Sequence, residues 1–464
     1  MSVFKAYDIR GIAGSELDAE FSERLGRAIA THLGADCVSV VRDIRDSSPD
    51  YHEAFVRGLL TSGADVIDLG ISTTGVLYRS TVDLPVDVAV AITASHNPPE
   101  YNGFKICKGK MPLGGEELQE IRKTFEEGNF REGSGSYRIM DSYEERYVQS
   151  IVDSVGRLSR DIRVVLDCGN AVPGPLAVKV LERLGVDVIP LYCDWDNSFP
   201  NHPPDPTRQE NMKDLGRAVL EHGAEFGIGM DGDGDRLGVV DENGKFIHPD
   251  RLMGIFVEEV LSDLPENATE EQRTIFFDVK CSMALEEAIE ELGGVPKMVR
   301  TGHTFMKKEL REFPGSPMAG EMSGHFFMND HWDGFDDSIY CAARLLSIIG
   351  MDPSPEQGGP KFSERFNFMP EYPTTDEGKV PLVGEREEVM EAVVSAFSDM
   401  PTSTVDGIRV RYDDGWYLCR PSNTEPILVM RAEGRDQEAL DYILSDVGRR
   451  IGEIVDLELS LIHI

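Results

Sequence analysis

RVVLDCGNAVPGP (163–175), followed by LERLGVDVIPLY (181–192), sets out the unit that decides the fold. An apolar, β-branched run stops at Asp167; a helix-like stretch follows, then a glycine and a second apolar run. The same plan governs VSVVRDIRDSSP (38–49) with LLTSGADVIDLG (59–70), and TIFFDVKCSMAL (274–285) with IEELGGVPKMVR (289–300). A strand, a helix closed by Gly and a returning strand form a right-handed βαβ crossover of a parallel sheet. Three such units predict three related α/β domains. Each is followed by a further apolar run that ends in a conspicuous loop: VDVAVAIT (86–93) before ASHNP, EFGIG (225–229) before MDGDGDR, and SPMA (316–319) before GEMSGH. Ligands of open parallel sheets bind beyond the carboxyl ends of strands, so the three loops are expected to face one cleft.

The last hundred residues depart from the plan. GIRVRY, DDGWYLCR and ILVMRAEG alternate as antiparallel strands around the loop PSNTEP, and a helix-like stretch runs from Asp436 to Ile454. The expected fold class is therefore α/β, with three related domains of mixed or parallel sheets and a smaller C-terminal α+β domain around a central cleft. The boundaries read as 1–140, 141–245, 246–360 and 361–464, with the Pro/Gly-rich MDPSPEQGGP (351–360) as the clearest linker and an expected hinge.

Composition narrows the function classes. With 464 residues the chain is too long for a single core, which suits a multidomain enzyme. Forty-six Lys and Arg against 83 Asp and Glu give a net charge of −37, which disfavours nucleic acid or an anionic membrane as partner and asks for a locally positive site if the substrate is an anion. No run is long and apolar enough for a membrane helix, and Asp8 and Arg10 stand where a signal peptide needs an apolar core, so a cytoplasmic protein is expected. The seven cysteines never fall in a CxxC spacing, and they read as reduced thiols.

Four loops carry the chemistry. In MDGDGDR (230–236), Asp231, Asp233 and Asp235 alternate with glycines; three carboxylates so confined repel one another unless a cation sits among them, and hard oxygen ligands favour Mg²⁺. An EF-hand is the rival, with Glu242 at the twelfth position, but Arg236 stands where that loop needs Gly and LGVV runs through its second half. A solvated acidic turn is the other alternative. In ASHNP, Ser95 reads either as a cap ahead of an Asn97-Pro98 turn or as a phosphoryl carrier beside the metal, with Lys105 neutralising charge. In RPSNTEP (420–426), Arg420, Ser422, Asn423 and Thr424 offer the donors a phosphate dianion requires, although a plain turn has the same look. In GEMSGH (320–325), Glu321 and Ser323 suit sugar hydroxyls and His325 suits proton transfer, whereas a lone His is more often structural.

TASHNP, DGDGDR, GEMSGH and RPSNTEP, in this order, resemble the α-D-phosphohexomutase superfamily, most closely its phosphomannomutase/phosphoglucomutase group. AYDIRG (6–11), NGFK (102–105), DVKC (278–281), TGH (301–303) and GFDDSIYCAARLL (334–346) are similar to that group as well. The resemblance implies an isomerase that interconverts hexose 1-phosphate and hexose 6-phosphate through a 1,6-bisphosphate that reorients, with that bisphosphate as primer and one Mg²⁺ per subunit. It implies that Ser95 is phosphorylated and, with Asp231, Asp233 and Asp235, binds the metal. It further implies that Arg420, Ser422, Asn423 and Thr424 hold the non-reacting phosphate, and that Glu321 and Ser323 grip O3 and O4. Tyr7, Arg10, His96, Lys105, Arg236, Lys280, His303 and His325 match further active-site positions, His325 or Lys105 being the candidates for proton transfer. Met322 favours mannose or glucose over glucosamine; Ile44 and Asp46 depart from the group's usual residues at a strand end read as structural. A phosphoglucosamine mutase or a bisphosphate synthase is the alternative, then a sugar-phosphate phosphatase or a non-catalytic sugar-phosphate-binding protein. The expected partners are small hexose phosphates, in a monomer or homodimer.

Overall fold

The computed structural model describes residues 3–5, 7–422, 426–452 and 454–455. Three sheets repeat one topology. In the first, the strand Cys37–Arg42 pairs in parallel with Asp65–Ile71 on one side and Val88–Ile92 on the other, and Tyr101–Lys108 returns antiparallel to Val88–Ile92. In the second, Arg163–Asp167 lies parallel to Asp187–Leu191 and Phe226–Met230, with Leu237–Val240 returning. In the third, Thr274–Asp278 lies parallel to Val295–Val299 and Met318–Gly320, with Phe326–Met328 returning. In each of these three sheets the chemistry-bearing loop is the turn between the last parallel strand and its antiparallel return. The equivalence read from the sequence therefore becomes a geometric one.

Local chemistry explains the units. The strands are buried on both faces, as the continuous apolar runs of covered parallel sheets require. Gly34, Gly185 and Gly223 close helices in the left-handed conformation that only glycine adopts cheaply. The fourth sheet is antiparallel throughout, in the order Gly378–Pro381, Ile427–Gly434, Gly415–Pro421, Ile408–Tyr412, Thr402–Ser403, and the helix Gln437–Ile451 packs on it.

The passage into that sheet lies later than the Pro/Gly-rich 351–360. Phe362, Phe366 and Met369 belong to the core shared by the second and third domains: Phe362 stacks on Phe226 at 4.4 Å, and Arg251 donates to the carbonyls of Phe366 and Met369. Three apolar side chains in 361–372 override the linker composition that precedes them. No helix among the described residues is long and apolar enough to cross a membrane.

Candidate active site

Ser95 sits at the end of the strand Val88–Ile92 with φ 51°, a left-handed conformation that costs a non-glycine residue about 1–2 kcal/mol. The loop is built to impose it. Thr93 Oγ1 accepts from the Ser95 amide at 2.9 Å, and Asn97 N–H closes a turn on the Ala94 carbonyl. Ser95 is no helix cap. Its hydroxyl donates to Asp231 Oδ2 at 2.7 Å and lies 3.0 Å from His96 Nδ1. Gly232 lets the two loops meet, because a Cβ there would collide with the Ser95 carbonyl.

Beneath this loop lies Arg45, which the sequence reading passed over. Its guanidinium donates to the carbonyls of Ser95 (2.8 Å), Asn97 (2.7 Å), Pro98 (2.6 Å) and Tyr101 (3.0 Å), while its Nε rests on Asp43 at 3.0 Å. Phe199, itself at φ 47°, covers it from the second domain at 5.5 Å. The available signal was an arginine just past a strand wholly buried in its centre, in VRDIRD: a charge there needs buried acceptors.

The three aspartates converge as expected, all fully or nearly fully buried, with oxygens within 4.8 Å of one another. Asp231 Oδ1 accepts the amides of Gly234, Asp235 and Arg236, which folds its own loop. Lys105 Nζ lies 2.6 Å from Asp233 Oδ2 and 2.5 Å from Asp235 Oδ2. Two helix N-termini brace the loop: Thr74 N–H donates to the Asp233 carbonyl and its hydroxyl to Asp233 Oδ2, while Ser338 donates both N–H and O–H to the Gly234 carbonyl. The partial positive charge of those termini favours an acidic loop. Burial, then Asp235 and Asp233, push the Asp231 carboxyl well above its usual range. Asp233 Oδ1 is buried without a hydrogen-bond partner, an expensive state for a carboxylate oxygen unless it ligates a cation. The donor set, all hard oxygens with a strand on either side, fits a divalent metal such as Mg²⁺ rather than an EF-hand or a solvated turn.

The third loop closes on the same point. His325 Nε2 is 3.3 Å from Asp235 Oδ1, and its Nδ1 lies 2.8 Å from Glu321 and 2.9 Å from Ser323. Burial opposes the imidazolium, but Asp235 and Glu321 overcome it and raise His325 to about 9. Glu321 Oε1 also accepts the Gly302 amide at 2.5 Å, which ties GEMSGH to TGH. His303 stands with its ring 5.7 Å from that of His325; burial and then Lys307 push it well below the ordinary histidine range. Lys307 is wholly buried and lies 2.5 Å from Asp336. His96 is likewise held neutral, by burial and then by Arg236.

The remaining residues ring this centre. Arg10 donates to Asn97 Oδ1 at 2.6 Å, and Tyr7 OH donates to the Thr301 carbonyl at 3.2 Å, its pKa pushed up to about 12 by burial. Arg236 lies 3.8 Å from Asp205, and Lys280 lies 3.0 Å from Glu377 across the junction with the fourth domain. Arg420 donates through Nε to Asp406 at 2.7 Å; the same carboxylate oxygen accepts the Thr301 amide, so the fourth loop is coupled to TGH. Ser422 is buried in that loop; Asn423 and Thr424 lie outside the described residues. Asp205, Glu377, Asp406 and Thr74 have no local signature and were not foreseen.

A serine oxygen against an aspartate loop, a Glu/Ser/His loop and an arginine-bearing fourth loop, on three repeats of one fold plus an antiparallel fourth domain, define a phosphohexomutase. The chain matches the phosphoglucomutase/phosphomannomutase alpha/beta/alpha domains I (1–132), II (141–244) and III (248–372) and the C-terminal domain (374–449). It is 41% identical over 448 residues to a phosphomannomutase/phosphoglucomutase of Pseudomonas aeruginosa, covering 95% of this chain and 94% of that one. It is 39% identical over 454 residues to a phosphoglucomutase of Neisseria gonorrhoeae, covering 95% of each. A solved phosphoglucomutase/phosphomannomutase family protein from Burkholderia thailandensis superimposes with a TM-score of 0.89 at 39% identity over 97% of each chain. The chain belongs to the phosphoglucomutase/phosphomannomutase family.

Proposed function

We propose that the protein interconverts the 1- and 6-phosphates of mannose and glucose, with Ser95 as the phosphoryl carrier and the hexose 1,6-bisphosphate as both intermediate and primer. The observation that carries this reading is the Ser95 hydroxyl held 2.7 Å from Asp231 in a loop otherwise fully clamped. Asp231, Asp233, Asp235 and an oxygen on Ser95 would hold Mg²⁺. When bound, that ion supplies positive charge to the oxygens of the phosphoryl group being transferred. Lys105, buried and flanked by Asp233 and Asp235, is kept charged and stabilises the same region, which leaves the proton to His325.

In the first half-reaction the Ser95 Oγ–P bond breaks as a P–O bond forms to the sugar hydroxyl; that proton passes to His325 Nε2, which would be free to accept it when a cation takes up the Asp235 charge that otherwise keeps the ring protonated, and the departing Ser95 oxygen keeps its electron pair for the second half. In the second half, after the bisphosphate has turned over, the imidazolium returns a proton to the departing sugar oxygen as the other phosphoryl group moves to Ser95. Glu321, fixed by Gly302 N–H and His325, and Ser323 meet O3 and O4 in either orientation. This two-way grip is what a phosphatase would not need.

Initial rates with mannose, glucose and glucosamine 1-phosphates side by side test the specificity. Mannose and glucose phosphates are expected to turn over at comparable rates and glucosamine 1-phosphate at least tenfold slower, since Met322 offers an amino sugar no hydrogen bond. Equal rates for all three would contradict that assignment, and stoichiometric release of inorganic phosphate would contradict the mutase reading.

Arg420→Ala should raise KM for hexose 1-phosphate by about 10- to 100-fold, the worth of one charge-assisted contact to phosphate, and lower kcat far less. Steady-state kinetics checks it; an unchanged KM would remove Arg420 from the phosphate site.

A further inference from the structure

The hairpin of the fourth domain carries a second cavity, apart from the four loops. Its strands Ile408–Tyr412 and Gly415–Pro421 pair antiparallel with Arg409 opposite Leu418 and Arg411 opposite Trp416, so these four side chains share a face. Trp416 and Leu418 pack on Val279, Met283 and Met298 of the third domain. Beyond that contact the two surfaces part around a cavity of about 320 Å³ between the hairpin and the helix Met283–Glu291, at the small end of the range for small-molecule sites. Trp416 precedes Arg420 by four residues on one strand, which puts the cavity roughly 13 Å from the phosphate loop.

Its walls carry Arg409, Arg411, Asp413, Glu286 and Glu290 without ion pairs among the described residues, beside the paired Arg435 and Glu287. Arg409 is only 6% exposed; it lies 4.1 Å over the Trp416 ring and gives Nη1 to the Val279 carbonyl, yet it has no ion pair, and its other nitrogens no hydrogen-bond partner, among the described residues. A guanidinium buried to this degree is ordinarily paired. Arg411, on the same face, has no ion pair among the described residues either. Opposite them Glu286 and Glu290 stand one helical turn apart, without ion-pair partners among the described residues, whereas neighbouring Glu287 is taken by Arg435. Met283 and Met298 supply apolar, adaptable wall between the two signs. The carboxylates repel a simple anion such as a sugar phosphate, and the arginines repel a simple cation.

We propose that this cavity binds a small zwitterion of amino-acid size, its carboxylate on Arg409 and Arg411, its ammonium at Glu286 and Glu290, and its side chain against the two methionines. The test is calorimetric titration of the full-length protein with each standard α-amino acid up to about 10 mM, a range that captures millimolar affinity. The tightest binder is then compared with its amide, which lacks the carboxylate, and its N-acetyl derivative, which lacks the ammonium. Saturable one-to-one binding is expected for at least one amino acid, weakened tenfold or more in each derivative. Glu290→Gln and Arg411→Ser, both at exposed positions that leave the fold intact, should weaken it at least threefold, and Arg409→Met should abolish it. Absence of saturable binding to every amino acid, equal binding of a singly charged derivative, or wild-type affinity in the two exposed variants would overturn the proposal. Binding is read without turnover, so its failure and that of the mutase reading are distinguishable.

Discussion

Ser95→Ala is expected to lower kcat by on the order of 10⁵-fold, the usual consequence of removing the atom that carries the transferred group. The loss should be confined to chemistry. The substitution deletes one hydroxyl and its bonds to Asp231 and His96, but Asp231 keeps three backbone amides on its other oxygen and the loop keeps its Arg45 contacts. The stability change should stay near 1 kcal/mol, the net worth of one hydrogen bond. Coupled assays at saturating glucose 1-phosphate with added bisphosphate, beside thermal unfolding, read both quantities. Residual kcat above a hundredth of wild type would remove Ser95 from the reaction.

Arg45→Met should be the most damaging change outside the reacting atoms, and in a different way. It strips donors from four carbonyls at once and leaves Asp43 buried beside a neutral side chain. Breaking a buried pair costs about 3–5 kcal/mol. Because the clamped carbonyls belong to the loop that forces Ser95 into its left-handed conformation, kcat should fall by about 100-fold or more while KM for hexose phosphate moves little. Arg45→Lys keeps the charge but not the fork, so it should recover stability better than activity. Urea unfolding and steady-state kinetics on both variants check this; full activity in Arg45→Met would mean that the loop holds itself.

Much of this architecture was legible in the chain because the repeat has strong local marks: β-branched runs ending in Asp, glycines at helix ends, and loops dense in Gly and Asp. The metal loop was the clearest, since three carboxylates in five residues have few stable alternatives to a cation. The antiparallel return of each sheet was not legible, because LGVV and FFM are short apolar runs that local pattern cannot orient. Nor were the long-range partners. Asp205 beside Arg236 and Asp406 beneath Arg420 are far apart in sequence and meet only when their own domains fold, Glu377 meets Lys280 only when the third and fourth domains pack, and 361–372 reads as part of the fourth domain until Phe362 finds Phe226. Arg45 shows the limit most plainly: its neighbours Ile44 and Asp46 drew attention as departures, while the residue between them carries the loop.

The most direct test of the phosphoryl-carrier claim follows the group itself. Enzyme incubated with ³²P-labelled hexose 1,6-bisphosphate is quenched on the millisecond scale during turnover, digested, and mapped by mass spectrometry. The expected result is one PO₃H on the peptide containing Ser95, lost on chase with unlabelled hexose 1-phosphate as label appears in bisphosphate and 6-phosphate. Steady isomer formation with residue 95 never esterified would contradict the account.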